Sequence, residues 1–377
     1  MKKILFLIHD LGPGGAEKVL VNLVNNMDPK EFDITVMTLI GGGVNEQFLK
    51  PHIRYIPRFR WLLRGHSHFM ALLTPQQLHR LLIKDTYDIE VSYLEGPTAR
   101  IISGCPNPGT KLVSWVHIEQ HTHKRAQLGF RSYDEMVRCQ QKFKRIICVS
   151  DYVKKDFSQL YPQLNQLQVL YNTNETDAII AKAKEPVDIS MPEKPVVRLC
   201  GVGKLIKNKG FDRVLRIQKR LQDQGYALHT YLLGEGADRG NLEDYVQQNG
   251  LKENVTFLGY QTNPYKYVAN CDLFVCASFA EGFSTAATEA LIVGTPVCTV
   301  EVSGMKEMLG ENNEYGIVTD NDEEALYQGI KRLLDDPVML AHYQEQALLR
   351  GKDFSTANTV QAVEEMLQSL FQGTTEV

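Results

Sequence analysis

Residues 281–289 read EGFSTAATE, two glutamates eight positions apart around a run of small residues. Glu289 falls inside the apolar stretch AATEALIVG, where a carboxylate needs a protein partner or a bound ligand because an unpaired buried charge is costly. The preceding DLFVCASF reads as a buried strand, and Ser284 reads as the N-cap of a helix that begins at Thr285. Glu281 then stands in the loop and Glu289 about five residues into the helix, about 7 Å farther along at about 1.5 Å per residue. Carboxylates so placed can grip separate parts of one extended polar ligand, with the backbone N–H groups of Gly282, Phe283 and Ser284 facing it.

Three further stretches carry chemistry. The strand VVRLCGVG runs into KLIKNKGFDRVL, which puts Lys204, Lys207 and Lys209 in a loop before a helix. Cations at the carboxyl end of a parallel strand can neutralise a diphosphate, although a solvated loop has the same composition. Near the start, HDLGPGGAEKVLVNL places Gly14 and Gly15 in a turn that opens a helix, where backbone amides can approach a phosphate or simply form a tight turn. Position 17 is glutamate where the dinucleotide fingerprint has its third glycine, which disfavours an NAD enzyme. In SWVHIEQHTH, His117 and His121 have the spacing of a helical metal pair, but the His-Glu-x-x-His order is absent and no other ligand cluster stands out. His117, at the end of a strand, is read as a hydrogen-bonding group in a cleft.

The elements that must position these residues follow from the apolar runs. KILFLIH, DITVMTL, IEVSYL, KLVSWVH and RIICVS recur through the first half, and VVRLCGVG, LHTYLLG, VTFLGY, DLFVCAS, PVCTV and YGIVTD through the second. Short apolar strands alternating with helical segments predict a doubly wound α/β architecture. With 377 residues the chain exceeds what one core organises, so two domains are expected, 1–172 and 196–354, joined by the proline-rich and charged segment 173–195. Val360, Val363, Met366, Leu367 and Leu370 recur at helical spacing, so 355–371 should form an amphipathic helix that packs back on the first domain. The first apolar run, Ile4 to Ile8, ends at His9 and Asp10, too short for a signal peptide, and no run reaches the ~18 residues of a membrane span. Seven cysteines, none in a Cys-x-x-Cys pair, read as reduced packing residues.

Charge is unevenly spread. Residues 1–172 hold 22 basic and 15 acidic side chains, a net +7, and residues 173–377 hold 19 and 30, a net −11. No acid occurs between Gln47 and Lys84, where Arg54, Arg58, Arg60 and Arg64 alternate with Trp61 and other large apolar residues. Such a face suits an anionic membrane surface, the other reading being a solvated loop over the core. Nucleic acid is not expected, because the whole chain is mildly acidic and carries no recognised binding motif.

Together, GGAE after the first strand, a histidine ending a mid-domain strand, GKLIKNKG opening the second domain and the Glu-x7-Glu of EGFSTAATE resemble glycosyltransferase family four over nearly the whole chain. The resemblance implies an α/β GT-B fold, two Rossmann-like doubly wound domains facing a central cleft. It also implies retaining transfer of a sugar from a nucleotide-diphosphate sugar, UDP by family frequency, to a hydroxyl of a glycan or lipid-linked acceptor, as in capsule or other surface polysaccharide synthesis. By that resemblance Gly14 and Gly15 contact the donor phosphate, His117 reaches the donor sugar, and Lys204 and Lys209 hold the diphosphate. Glu281 with the amides of Gly282, Phe283 and Ser284 holds sugar hydroxyls, and Glu289 binds the ribose. The chain departs from the family in having Lys204 where arginine is usual and a single glycine, Gly304, where two are common. No cofactor or metal is expected, and the protein is expected to be cytoplasmic, peripheral on the inner face of the membrane. A sugar-nucleotide epimerase of the same fold and a non-catalytic nucleotide-sugar-binding protein stay open at this point.

Overall fold

The structure, a computed structural model, describes residues 1–59 and 71–372. The chain divides into two compact units, Met1–Asn174 with Thr356–Val377, and Glu175–Ser355.

Among the described residues of the first unit, seven parallel strands, β1 (Lys2–Ile8), β2 (Phe32–Ile40), β3 (Arg54–Phe59), β4 (Ile89–Ser92), β5 (Lys111–Val116), β6 (Arg145–Cys148) and β7 (Leu167–Val169), lie in the order 3-2-1-4-5-6-7. The second unit carries β8 (Val197–Val202), β9 (Leu228–Leu233), β10 (Val255–Gly259), β11 (Leu273–Cys276), β12 (Val297–Val300) and β13 (Ile317–Thr319), also parallel, in the order 10-9-8-11-12-13. The central strands are almost wholly apolar because helices cover both faces of a parallel sheet, and β1 is fully buried from Ile4 to Ile8. Both orders reverse direction once, between β1 and β4 and between β8 and β11, and a crevice outside the strands' carboxyl ends forms at such a point. These two points position the candidate residues.

All eleven apolar runs form strands, and β3 and β7 are additional. β3 is an edge strand whose Pro57 and alternating arginines hide it from a search for apolar runs. The segment 173–195, expected as a linker, contains the helix Thr176–Ala183, whose Ile179 packs with Tyr265 and Ile292 in the second unit. The helix Thr356–Ser369 belongs to the first unit, where its Glu364 carboxylate accepts the Asp28 N–H at 2.7 Å and Thr356 Oγ1 donates to the Asn174 carbonyl at 2.7 Å.

The loop after β8 is held by a backbone approach that only glycine permits. Gly210 has φ +63° and caps the helix Phe211–Asp223, and a β-carbon there would fall 2.0 Å from the Ala277 carbonyl oxygen just past β11. Gly210→Ala should therefore lose more stability than the roughly 1–2 kcal/mol that left-handed backbone costs an L-residue. Gly225 supplies the comparison, since its φ is +91° and nothing lies within 4 Å of where its β-carbon would be. Urea unfolding followed by far-UV circular dichroism should give Gly210→Ala the lower midpoint; equal midpoints for the two variants would show that the approach to Ala277 is not rigid.

Candidate active site

Lys209 lies in the turn between β8 and the helix Phe211–Asp223, and Glu281 in the loop between β11 and the helix Thr285–Ile292. Lys209 Nζ donates to Glu281 Oε1 at 2.6 Å, with side chains 26% and 12% exposed. Ser278 Oγ donates to the same oxygen at 2.7 Å, so one carboxylate oxygen is doubly held. Burial alone would lower the Lys209 pKa, but the charge and hydrogen bond of Glu281 raise it, and the ammonium stays charged. The backbones are tied as well: Phe279 N–H donates to the Asn208 carbonyl at 2.8 Å, and Asn208 Nδ2 donates to the Ala280 carbonyl at 3.0 Å. Lysine loop and glutamate loop thus form one unit at the carboxyl ends of two adjacent central strands.

The other expected residues fall around this pair in different ways. Lys204 is exposed, next to Gly203, where a β-carbon would lie 3.7 Å from the Lys209 side-chain methylenes. Ser284 is the N-cap, accepting the Ala287 N–H at 3.4 Å. Phe283 is buried against Phe354, ring centroids 5.7 Å apart, so its ring is core and only its backbone is suited to a ligand. Gly304 closes on this loop, since a β-carbon there would lie 3.0 Å from the Gly282 carbonyl. Glu289 is 7% exposed, as its apolar neighbours implied, and it accepts the Tyr265 hydroxyl at 3.3 Å. The carboxylate therefore has a protein partner from the helix Tyr265–Val268, one that the sequence did not reveal.

Gly14, Gly15 and His117 belong to the first unit. Gly14 caps the helix Gly15–Asn26 without a side-chain hydrogen bond, and a β-carbon on it would fall 1.9 Å from the Glu17 carboxylate, which folds over the helix start. His117 follows β5, its ring 4.9 Å from that of Tyr93. Burial pulls its pKa down to about 4, a backbone hydrogen bond to Tyr93 opposing it, and Nε2 is buried with no hydrogen-bond partner. A neutral ring with Nε2 unpaired is suited to hydrogen-bond a hydroxyl there. The His117 N–H donates to Glu95 Oε2 at 3.1 Å, and burial raises the Glu95 carboxyl above its usual range. Burial also raises Glu119. Asp156 accepts the N–H groups of Gln120 at 2.6 Å and His121 at 3.1 Å, holding His121 at φ +58°. Glu95, Glu119 and Asp156 were not anticipated, because their spacing in sequence matches no motif.

Arg54 is paired with Asp85 at 2.9 Å, so the first acid after the acid-free stretch neutralises part of it. Arg58 reaches across to Met37 Sδ at 3.3 Å. Arg60, Trp61 and Arg64 lie outside the described residues. Among the described residues no helix is long and apolar enough to cross a membrane. An Asp-x-Asp spacing, as used elsewhere to bridge a metal to a diphosphate, occurs at Asp320 and Asp322. Asp322, however, caps the helix Glu323–Asp335 through the Ala325 N–H at 2.8 Å, and the intervening Asn321 accepts from Arg213 at 2.8 Å.

Known proteins match both units. Residues 13–177 match the model of Glycosyltransferase Family 4 and residues 184–350 that of Glycosyl transferases group 1. A Campylobacter jejuni N-acetylgalactosamine-N,N'-diacetylbacillosaminyl-diphospho-undecaprenol 4-alpha-N-acetylgalactosaminyltransferase is 35% identical over 94% of this chain and 96% of its own. A second transferase of that organism, a GalNAc-alpha-(1->4)-GalNAc-alpha-(1->3)-diNAcBac-PP-undecaprenol alpha-1,4-N-acetyl-D-galactosaminyltransferase, is 24% identical over 95% of this chain and 96% of its own. In fold, the chain is similar to Anabaena HepE in complex with UDP and glucose, with a TM-score of 0.76 at 18% identity over 98% of this chain and 100% of that one. The two parallel Rossmann-like sheets are those of the GT-B fold, and the chain belongs to glycosyltransferase family four.

Proposed function

We propose that the protein is a retaining glycosyltransferase that moves a sugar from a UDP-sugar to a hydroxyl of a lipid-linked or glycan acceptor in surface polysaccharide synthesis. The observation that carries this reading is the Lys209–Glu281–Ser278 cluster at the point where the β8 and β11 ends diverge. A preset cation there meets the charge that develops on the departing diphosphate, the main electrostatic demand of the transition state. Lys204 adds a second cation, Glu281 and the amides after it take sugar hydroxyls, and Glu289 takes the ribose. His117, neutral above about pH 4, accepts from a sugar hydroxyl rather than supplying charge. Gly14 and Gly15 approach the phosphate through backbone. Attack comes from the face the diphosphate leaves, and a phosphate oxygen takes the acceptor proton. The two Campylobacter relatives act on undecaprenol-linked glycans, and HepE was seen with UDP, which supports the acceptor and donor classes. An acceptor anchored in lipid favours a catalyst bound to the inner membrane face through the basic stretch that includes Arg54, Arg58, Arg60, Trp61 and Arg64.

Three outcomes are expected. Glu289→Gln keeps an oxygen for the Tyr265 hydroxyl and so stays folded, while losing a charge-assisted hydrogen bond to ribose of roughly 1.5 to 3 kcal/mol. Calorimetry should then show UDP affinity falling about tenfold to a hundredfold, and unchanged affinity would remove Glu289 from the donor site. Sedimentation with anionic liposomes should carry the protein down, with release in high salt; equal binding to neutral liposomes, or to none, speaks against the membrane face. Finally, transfer assayed in EDTA should proceed for the wild type and fall ~100- to ~1,000-fold for Lys209→Ala. Arginine at 209 should restore little, its forked head being different in reach. A wild type that stops without divalent metal, together with a Lys209→Ala variant at full speed when metal is supplied, would overturn the lysine clamp.

A further inference from the structure

A second cluster of reactive side chains lies in the first unit, away from the residues assigned to transfer. His79 Nε2 is 2.8 Å from Glu90 Oε2, and Cys105 Sγ is 3.6 Å from the other oxygen of the same carboxylate. The imidazole, carboxylate and thiol atoms all lie within 4.8 Å of one another. His79 is 5% and Glu90 1% exposed, and Glu90 occupies β4 where its neighbours Ile89 and Val91 are fully buried and apolar. An open cavity of about 260 Å³ reaches all three.

The frame is fixed independently of the cluster. The helix Pro75–Leu82, which carries His79, starts in a capping box between Thr74 and Gln77. The turn carrying Cys105 is pressed onto that start, since a β-carbon at Gly104 would fall 1.9 Å from the Pro75 carbonyl. The buried Arg100 ties the same two segments, donating to the Leu73 carbonyl at 2.5 Å from the helix Pro97–Ile102 that leads to Gly104, while Glu135 holds its guanidinium at 2.9 Å. Glu90 belongs to the β4 ladder.

We propose that His79, Glu90 and Cys105 form a binding site for a zinc-type divalent ion. One nitrogen, one carboxylate oxygen and one thiolate are a donor set that suits Zn²⁺, and the fourth position opens on the cavity, where water completes a tetrahedron. With bonds of about 2.0 to 2.3 Å, the edges of that tetrahedron are about 3.3 to 3.8 Å, so three donor atoms that lie within 4.8 Å of one another reach it through shifts of about 1 Å or less. Thiolate and carboxylate together balance the ion's double charge, which suits a buried position. Glu90 lies at the amino-terminal end of β4, whereas Glu95 and His117 lie beyond the carboxyl ends of β4 and β5, so the ion braces the sheet and takes no part in transfer.

The full-length, metal-free protein titrated with Co²⁺ tests this directly. The wild type should take up one equivalent, with tetrahedral visible bands and thiolate-to-cobalt absorption in the near ultraviolet, and Zn²⁺ should bleach both. Cys105→Ser should lose the near-ultraviolet band, Cys139→Ser should keep it, and His79→Gln should bind cobalt at least about tenfold more weakly. Zn²⁺ should raise the melting temperature of the wild type and not that of Cys105→Ser, a readout that also reports whether the variant folds. No stoichiometric band in the wild type, or a band that survives Cys105→Ser, would overturn the site. None of these readouts uses sugar transfer, so failure here leaves the donor site untouched.

Discussion

The contact between Lys209 and Glu281 governs the second unit's site, because it joins the two loops that emerge at the reversal of strand order. A half-buried ion pair is a weak stability device, since the desolvation of both charges offsets most of their attraction. Its value here is positional. The ammonium is anchored by Glu281, Glu281 by Ser278, and the loop backbones by Asn208, so the protein itself fixes the cation's position. An arrangement fixed in advance needs no reorganisation as charge moves onto the leaving group. The glycine at 210 belongs to the same device, because its left-handed backbone lets the lysine loop sit against Ala277.

The first unit works with burial where the second works with charge. His117 is kept neutral by its surroundings, and Glu95 beside it is pushed toward the protonated form by the same exclusion of water. A neutral imidazole with a directed lone pair and a carboxyl of raised pKa recognise hydroxyls, whereas a site for anions would carry cations there.

Much of this was legible in the sequence, and the limits are physical. Buried parallel strands need continuous apolar runs, so the central strands could be read directly, whereas edge strand β3, with Pro57 and two arginines, and the three-residue β7 could not. The helix Thr176–Ala183 was hidden by prolines and charges that follow it, although Ile179 already marked its buried face. Glu281, Lys209 and His117 could be picked out because each follows a strand. Their partners could not: Lys209 and Glu281 are 72 positions apart, and Ser278, Tyr265 and Glu95 carry no spacing signal of their own. His79, Glu90 and Cys105 escaped for the same reason, being brought together from a helix, a strand and a turn.

The central claim is that Lys209 meets the diphosphate as a cation preset by Glu281. A double-mutant cycle on UDP affinity, measured by calorimetry for wild type, Lys209→Gln, Glu281→Gln and the double variant, tests it most directly. The account predicts a coupling of about 0.5 to 3 kcal/mol, as for residues in direct contact. Losses that simply add, or a UDP affinity that Lys209→Gln leaves unchanged when Glu281 is present, would contradict it.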